Sequence, residues 1–201
     1  MYADHSVELG ADDPALELPW SSNEGSNRYF DLKQHPELVL SIPPAIEHPE
    51  LSEFLTRLNA ASCPLRTAKC DAWFSNELFP EEEVFGAAGK FVCYVDLLFA
   101  QGDSRFSLEK HEALAQEICK LLQRAPEMAS SAEFVVRRCY YHLEGNPDDS
   151  TNGFYITAYV TGYGDTGEEA LQRWGIALKL LQHALVQIGS SLSQSHAAPT
   201  P

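Results

Sequence analysis

Along the central part of the chain, apolar residues alternate with polar ones in some stretches and recur at helical spacing in others. Leu65–Asn76 alternates, with Ala68, Cys70, Ala72 and Phe74 on one face and Thr67, Lys69, Asp71 and Trp73 on the other, which predicts a strand. Lys90–Gln101 alternates in the same way, and Gly102-Asp103 then turns into a helix capped by Ser107. Leu114, Ile118, Leu121 and Leu122 form that helix's apolar stripe, and Pro126 ends it. The plan then repeats. Glu133–Glu144 predicts a strand, Gly145–Asp149 a turn and Gly153–Tyr163 the return strand. Thr166-Gly167-Glu168-Glu169 matches a capping box, followed by a helix whose buried stripe is Leu171, Trp174, Leu178, Leu181, Leu185 and Ile188, with Gly189 placed to stop it.

The two units share phase as well as order. Phe91, Cys93, Val95 and Leu97 correspond to Phe154, Ile156, Ala158 and Val160, and Lys120-Leu121-Leu122-Gln123 recurs as Lys179-Leu180-Leu181-Gln182. The expected fold is therefore α+β: a two-layer sandwich with a four-stranded antiparallel sheet from two ββα units, helices on one face, and one helix before them. That preceding helix opens at Pro49 and carries Leu51, Phe54, Leu55 and Leu58 on one face. Residues 28–190 are expected to form a single domain with its ββα-ββα core at 64–190. Residues 1–27, acidic and turn-rich, read as a mobile arm that clips on through Leu16, Leu18 and Trp20, and residues 191–201 as a disordered tail.

Charge narrows the partners. With 29 acids against 14 bases and a net charge of −15, the surface repels a phosphate backbone, which argues against nucleic acid and fits an acidic partner for a basic protein. No apolar run is long enough to span a bilayer and Met1–Gly10 carries no basic, apolar leader, so no membrane role and a cytoplasmic location are expected. The five cysteines, 63, 70, 93, 119 and 139, lack metal-ligand spacing and read as small buried hydrophobes.

Candidate chemistry is thin. Gly162-Tyr163-Gly164-Asp165-Thr166-Gly167 fits a dinucleotide fingerprint as a string, but no strand follows its helix, and Glu168 and Glu169 occupy the place of a phosphate. It reads as a tight turn plus cap. His35-Pro36-Glu37-Leu38 recurs as His48-Pro49-Glu50-Leu51, the composition of a helix or turn opening rather than of a metal site. The element order is similar to that of pterin-carbinolamine dehydratases, whose adjacent histidines before a proline have no counterpart in these single His-Pro pairs. No cofactor, metal or catalytic residue is assigned.

The informative surface is the sheet face away from the helices. Alternation places Lys69, Asp71 and Trp73, then Val92, Tyr94, Asp96 and Leu98, then Tyr155, Thr157, Tyr159 and Thr161 there. In the strand 133–144 either Arg138, Tyr140 and His142 or Arg137, Cys139 and Tyr141 face that way. The first set is favoured because Cys139 is the better core residue. Tyr and Trp at this density are the composition of an interface or ligand cleft. The expectation is a non-enzymatic protein that self-associates as a homodimer, or binds a protein or small molecule, through Lys69, Asp71, Trp73, Tyr94, Asp96, Arg138, Tyr140, His142, Tyr155 and Tyr159. The alternative is a small-metabolite enzyme with an acid–base cleft formed by Asp71, Asp96, Arg138 and His142.

Overall fold

The computed structural model describes residues 1–21, 28–143 and 146–195. Its strands are β1 (Tyr2–Val7), β2 (Leu16–Leu18), β3 (Leu65–Ser75), β4 (Gly89–Phe99), β5 (Ser130–Leu143) and β6 (Asn146–Gly164). The helices are α1 (Pro43–Glu47), α2 (Pro49–Leu58), α3 (Leu108–Leu122) and α4 (Gly167–Ser195), joined by short 3₁₀ segments at Pro36–Ser41, Pro80–Phe85 and Asp103–Phe106. The class is α+β. No described helix is long and apolar enough to cross a membrane.

The expected four antiparallel strands are present in the order β5-β6-β4-β3, but they are part of a mixed six-stranded sheet. β1 runs parallel to the first half of β5, from Tyr2 beside Ser131 to Val7 beside Val136. β2 continues along the same edge, with Leu16 beside Cys139 and Leu18 beside Tyr141. Residues 1–21, expected as part of a mobile arm, thus cover the β5 edge. The physical reason is that β5 would otherwise expose a row of unpaired backbone groups. Ala3, Leu16 and Leu18, all buried, anchor this cover. The rest of the expected arm, residues 22–27, lies outside the described residues, as do 196–201 of the expected tail.

One sheet face carries the helices. Phe91, Cys93, Val95 and Leu97 of β4 and Ile156, Ala158 and Val160 of β6 are buried there against α2, α3 and α4. α2 opens on Pro49 and buries Leu51, Phe54, Leu55 and Leu58, as its spacing predicts. Ser107 caps α3 by accepting from the Lys110 N–H at 3.2 Å. At the start of α4, Thr166 accepts from the Glu169 N–H at 3.2 Å, while Glu169 reaches back to the N–H of Asp165 at 2.9 Å. α4 does not stop at Gly189: that residue lies beside Pro64, where a Cβ would meet the ring at 3.1 Å, and the helix continues to Ser195. Leu171, placed in the buried stripe by its spacing, is exposed.

The glycines of the dinucleotide-like string have a packing role. A Cβ on Gly162 would sit 2.2 Å from the Trp174 amide nitrogen, and one on Gly164 would sit 2.6 Å from that of Ala170. They let β6 and α4 approach backbone to backbone. Both His-Pro-Glu-Leu copies open helical segments, at Pro36 and at Pro49, and His48 packs its ring against Phe91 and Trp174 at 4.9 and 5.6 Å.

Candidate functional site

Cross-strand pairing orders the face away from the helices into rows. Asp71, Tyr94, Tyr159, Glu133 and Asp4 lie side by side across β3, β4, β6, β5 and β1. The adjacent row is Trp73, Val92, Thr161, Ser131 and Tyr2, and beyond it lie Ser75, Lys90 and Tyr163. Trp73, Tyr94 and Tyr159 form an aromatic ridge, with ring centroids 6.4 and 6.2 Å apart.

Two expected placements are corrected. β3 bulges between Thr67 and Cys70. Thr67 therefore turns to the helix side, where its N–H donates to Asn59 Oδ1 at 3.1 Å and its hydroxyl accepts from Asn59 Nδ2 at 2.8 Å. Ala68 moves to the opposite face, and Lys69 sets its Nζ 4.9 Å from the Trp20 ring centroid. In β5 the phase is the reverse of the favoured one. Arg137 pairs with Tyr155 and Cys139 with Gly153, so Arg137, Cys139 and Tyr141 share the aromatic face while Arg138, Tyr140 and His142 face the other way. Cys139 is fully buried, but in a second apolar cluster with Leu16, Leu18, Leu98, Tyr141 and Tyr155. That cluster gives β5 two buried sides, so burial alone does not assign its phase. His142 pairs with Glu17 of β2, and Arg138 and Tyr140 lie beside the β1–β2 connection.

The face accordingly has three zones. At one end β2 and Trp20 cover it, the Trp20 indole donating to the Ala68 carbonyl at 3.2 Å. In the middle lies a polar network. Arg137 donates to Glu8 at 2.9 Å, to the Thr157 hydroxyl at 3.0 Å and to the Tyr159 hydroxyl at 3.3 Å, and Thr157 donates to Asp96 at 2.8 Å. Burial pushes the Asp96 carboxyl up to about 6, with the Thr157 hydrogen bond and the charges of Lys69 and Arg137 opposing it. Tyr155 is buried beside this network.

At the other end the segment after β3 folds over the sheet and leaves a cleft of about 740 Å³. Its floor includes Trp73, Val92, Thr161, Ser131 and Tyr2, and its roof includes Glu77, Phe79, Glu81, Glu82, Val84 and Phe85. Glu82 holds the roof down. It accepts from Lys90 Nζ at 2.5 Å, from the Phe79 N–H at 2.8 Å and from the Tyr163 hydroxyl at 2.9 Å. Phe85 stacks on Tyr163 at 4.0 Å, and Lys90 Nζ lies 4.4 Å from the centre of the Phe79 ring. Burial opposes the charge on Glu82, but Lys90, Phe79 and Tyr163 outweigh it and hold the carboxyl below its ordinary value.

Glu82→Gln is therefore expected to cost about 2 kcal/mol, since a charged acceptor of three donors is lost. A carboxyl depressed in the folded state stabilises above its unfolded value, about 4.3, and loses that contribution as pH falls through the folded value. Urea titrations of both proteins between pH 3 and 7 check this: the gap between them narrows at the acid end.

Alternation carried a little further would have reached Lys90 and Tyr163, since they continue the phases of Tyr94 and Tyr159. Glu82 had no such signal, because Pro80-Glu81-Glu82-Glu83 reads as an acidic loop and only its fold-back selects one of the three acids. The two edge strands share a local feature. On β3 the Ala72 N–H donates to the Asp71 carboxylate, and on β1 the His5 N–H donates to that of Asp4, both at 2.8 Å. An acid at the edge that takes its neighbour's outward donor discourages strand addition. Comparison of the chain with family models, with curated proteins and with solved structures finds no match.

Proposed function

We propose that the protein is a non-catalytic binding module that seats a partner in the cleft on its aromatic sheet face. The observation that carries this reading is the cleft itself. Its volume falls in the range of about 300–1,000 Å³ usual for ligand sites, and Trp73, Phe79 and Val84 stand exposed around it. A second copy of the chain is the weaker occupant, because it would set Asp4, Glu81 and Glu133 against like charges. The enzyme alternative loses its constellation: Arg138 and His142 lie on the opposite face from Asp71 and Asp96, and Glu82 is engaged by three donors.

A ligand screen read by the indole N–H signals tests the proposal. Binders are expected to shift Trp73 and leave Trp174, fully buried in the core, in place. In titration calorimetry, which does not depend on the Trp73 signal, the Trp73→Ala, Tyr159→Ala double variant should lose those binders. Hits that survive in the folded double variant would count against the cleft.

A further inference from the structure

We propose that the occupant of the cleft is an extended basic peptide segment of a protein partner, a deepening that rests on the binding reading above. The first support is shape. One floor row, Trp73, Val92, Thr161, Ser131 and Tyr2, crosses five neighbouring strands. With strands about 4.8 Å apart, the four steps span about 19 Å, the length of about six extended residues. A compact ligand would fill only part of such a trough.

The second support is charge. Glu133 and Asp4 stand at one end of the cleft, and Glu77 and Glu81 stand on the roof. The single lining lysine, Lys90, is taken up by Glu82. Asp4 and Glu133 are cross-strand neighbours on the sheet, and Glu77 and Glu81 belong to the segment above it, so negative charge lines both walls of the trough. Glu133 is held above its ordinary value by partial burial and then by Glu8 and Asp4, with Glu81 adding to this from the roof and Arg137 opposing it. A cation placed there relieves that repulsion. The net charge of −15 would also draw a basic segment in from a distance.

The third support is the aromatic walls. Tyr2 and Trp73 line the cleft with aromatic surface of the kind that takes ammonium or guanidinium groups and their methylene stems, and Tyr159 beside them already carries the Arg137 guanidinium 5.8 Å from its ring centre. Lys90 over the Phe79 ring already makes one such contact within the roof. Asp71 and Asp4 each occupy a backbone donor of an edge strand, which disfavours strand addition alongside β3 or β1 relative to seating on the face.

The test is titration calorimetry with three probes: a blocked hexapeptide alternating lysine and alanine, its glutamine-for-lysine counterpart, and spermidine. The lysine peptide is expected to bind, to weaken with added salt, and to bind at least tenfold more tightly than the other two. The Glu81→Gln, Glu133→Gln double variant removes two acids that line the cleft and should weaken the lysine peptide at least tenfold. Equal binding of the glutamine peptide overturns the need for cations. Equal binding of spermidine overturns the peptide assignment in favour of a small polyamine. Undiminished binding to the double variant places the peptide elsewhere. If the lysine peptide fails while other ligands still shift Trp73, this inference falls and the binding module stands. If nothing shifts Trp73, both fall.

Discussion

Replacing Gly162 by alanine is expected to be among the most damaging single changes in the chain. The added Cβ would lie 2.2 Å from the Trp174 amide nitrogen, 2.4 Å from the Ala170 carbonyl oxygen and 2.8 Å from the Trp174 Cα. All three are backbone atoms of α4, so no side-chain rotation relieves the contact and the helix itself must move. Trp174 is fully buried on that helix, with its ring 4.8 Å from Phe91, and any outward shift opens the core. Overpacking commonly costs 1–3 kcal/mol, and a clash against two turns of helix backbone belongs at or above the top of that range, about 3 kcal/mol or more. Gly175→Ala is the internal control. There a Cβ meets only the flexible Glu50 side chain at 3.4 Å, so removing a helix-interior glycine should stabilise by about 0.5–1 kcal/mol. Urea midpoints moving in opposite directions confirm the contrast. An unshifted Gly162→Ala midpoint would refute the close approach of β6 and α4.

Asp96→Asn is expected to stabilise the protein above neutral pH. The carboxyl is buried and raised to about 6, whereas in the unfolded chain it titrates near the ordinary 3.8. Between these values the folded state holds a proton that the unfolded state has released, so stability falls as pH rises through the interval. The full difference corresponds to about 3 kcal/mol, reached above pH 7 and absent below about pH 4. The amide oxygen of asparagine still accepts from Thr157, so the hydrogen bond survives the change. Measured across pH 4–8, the variant's advantage should grow with pH, with Lys69 and Arg137, the cations nearest Asp96, unchanged in both proteins. A constant difference would mean that Asp96 is solvated in the folded state. On this expectation the Asp96 carboxylate weakens the middle of the aromatic face, beside the cleft.

Much of the architecture was legible in residue order. The ββα repeat, the helix face of β4 and β6, and the caps at Ser107 and Thr166 follow from local periodicity and capping chemistry, which depend on near neighbours in sequence. The aromatic ridge of Trp73, Tyr94 and Tyr159 was legible for the same reason, since alternation fixes a side once one strand's buried face is known. Three features were not legible. The Thr67–Cys70 bulge depends on Asn59, the C-cap residue just after α2, which captures Thr67. The phase of β5 depends on which residues cover its far side, and Leu16 and Leu18 make that side apolar enough to bury Cys139. Tyr2–Val7, with only Ala3 fully buried, has too weak an alternation to announce a strand.

The class, the two units and the aromatic face were thus readable from residue order, because each rests on short-range periodicity. What that face becomes is set by contacts across the fold: it is covered at one end, locked by Arg137 and Asp96 in the middle, and hollow at the other. Those outcomes depend on contacts between residues far apart in the chain, such as Glu8 with Arg137 and Glu82 with Tyr163. Local pattern carries no record of them, since pairing partners are selected by how the strands and loops meet.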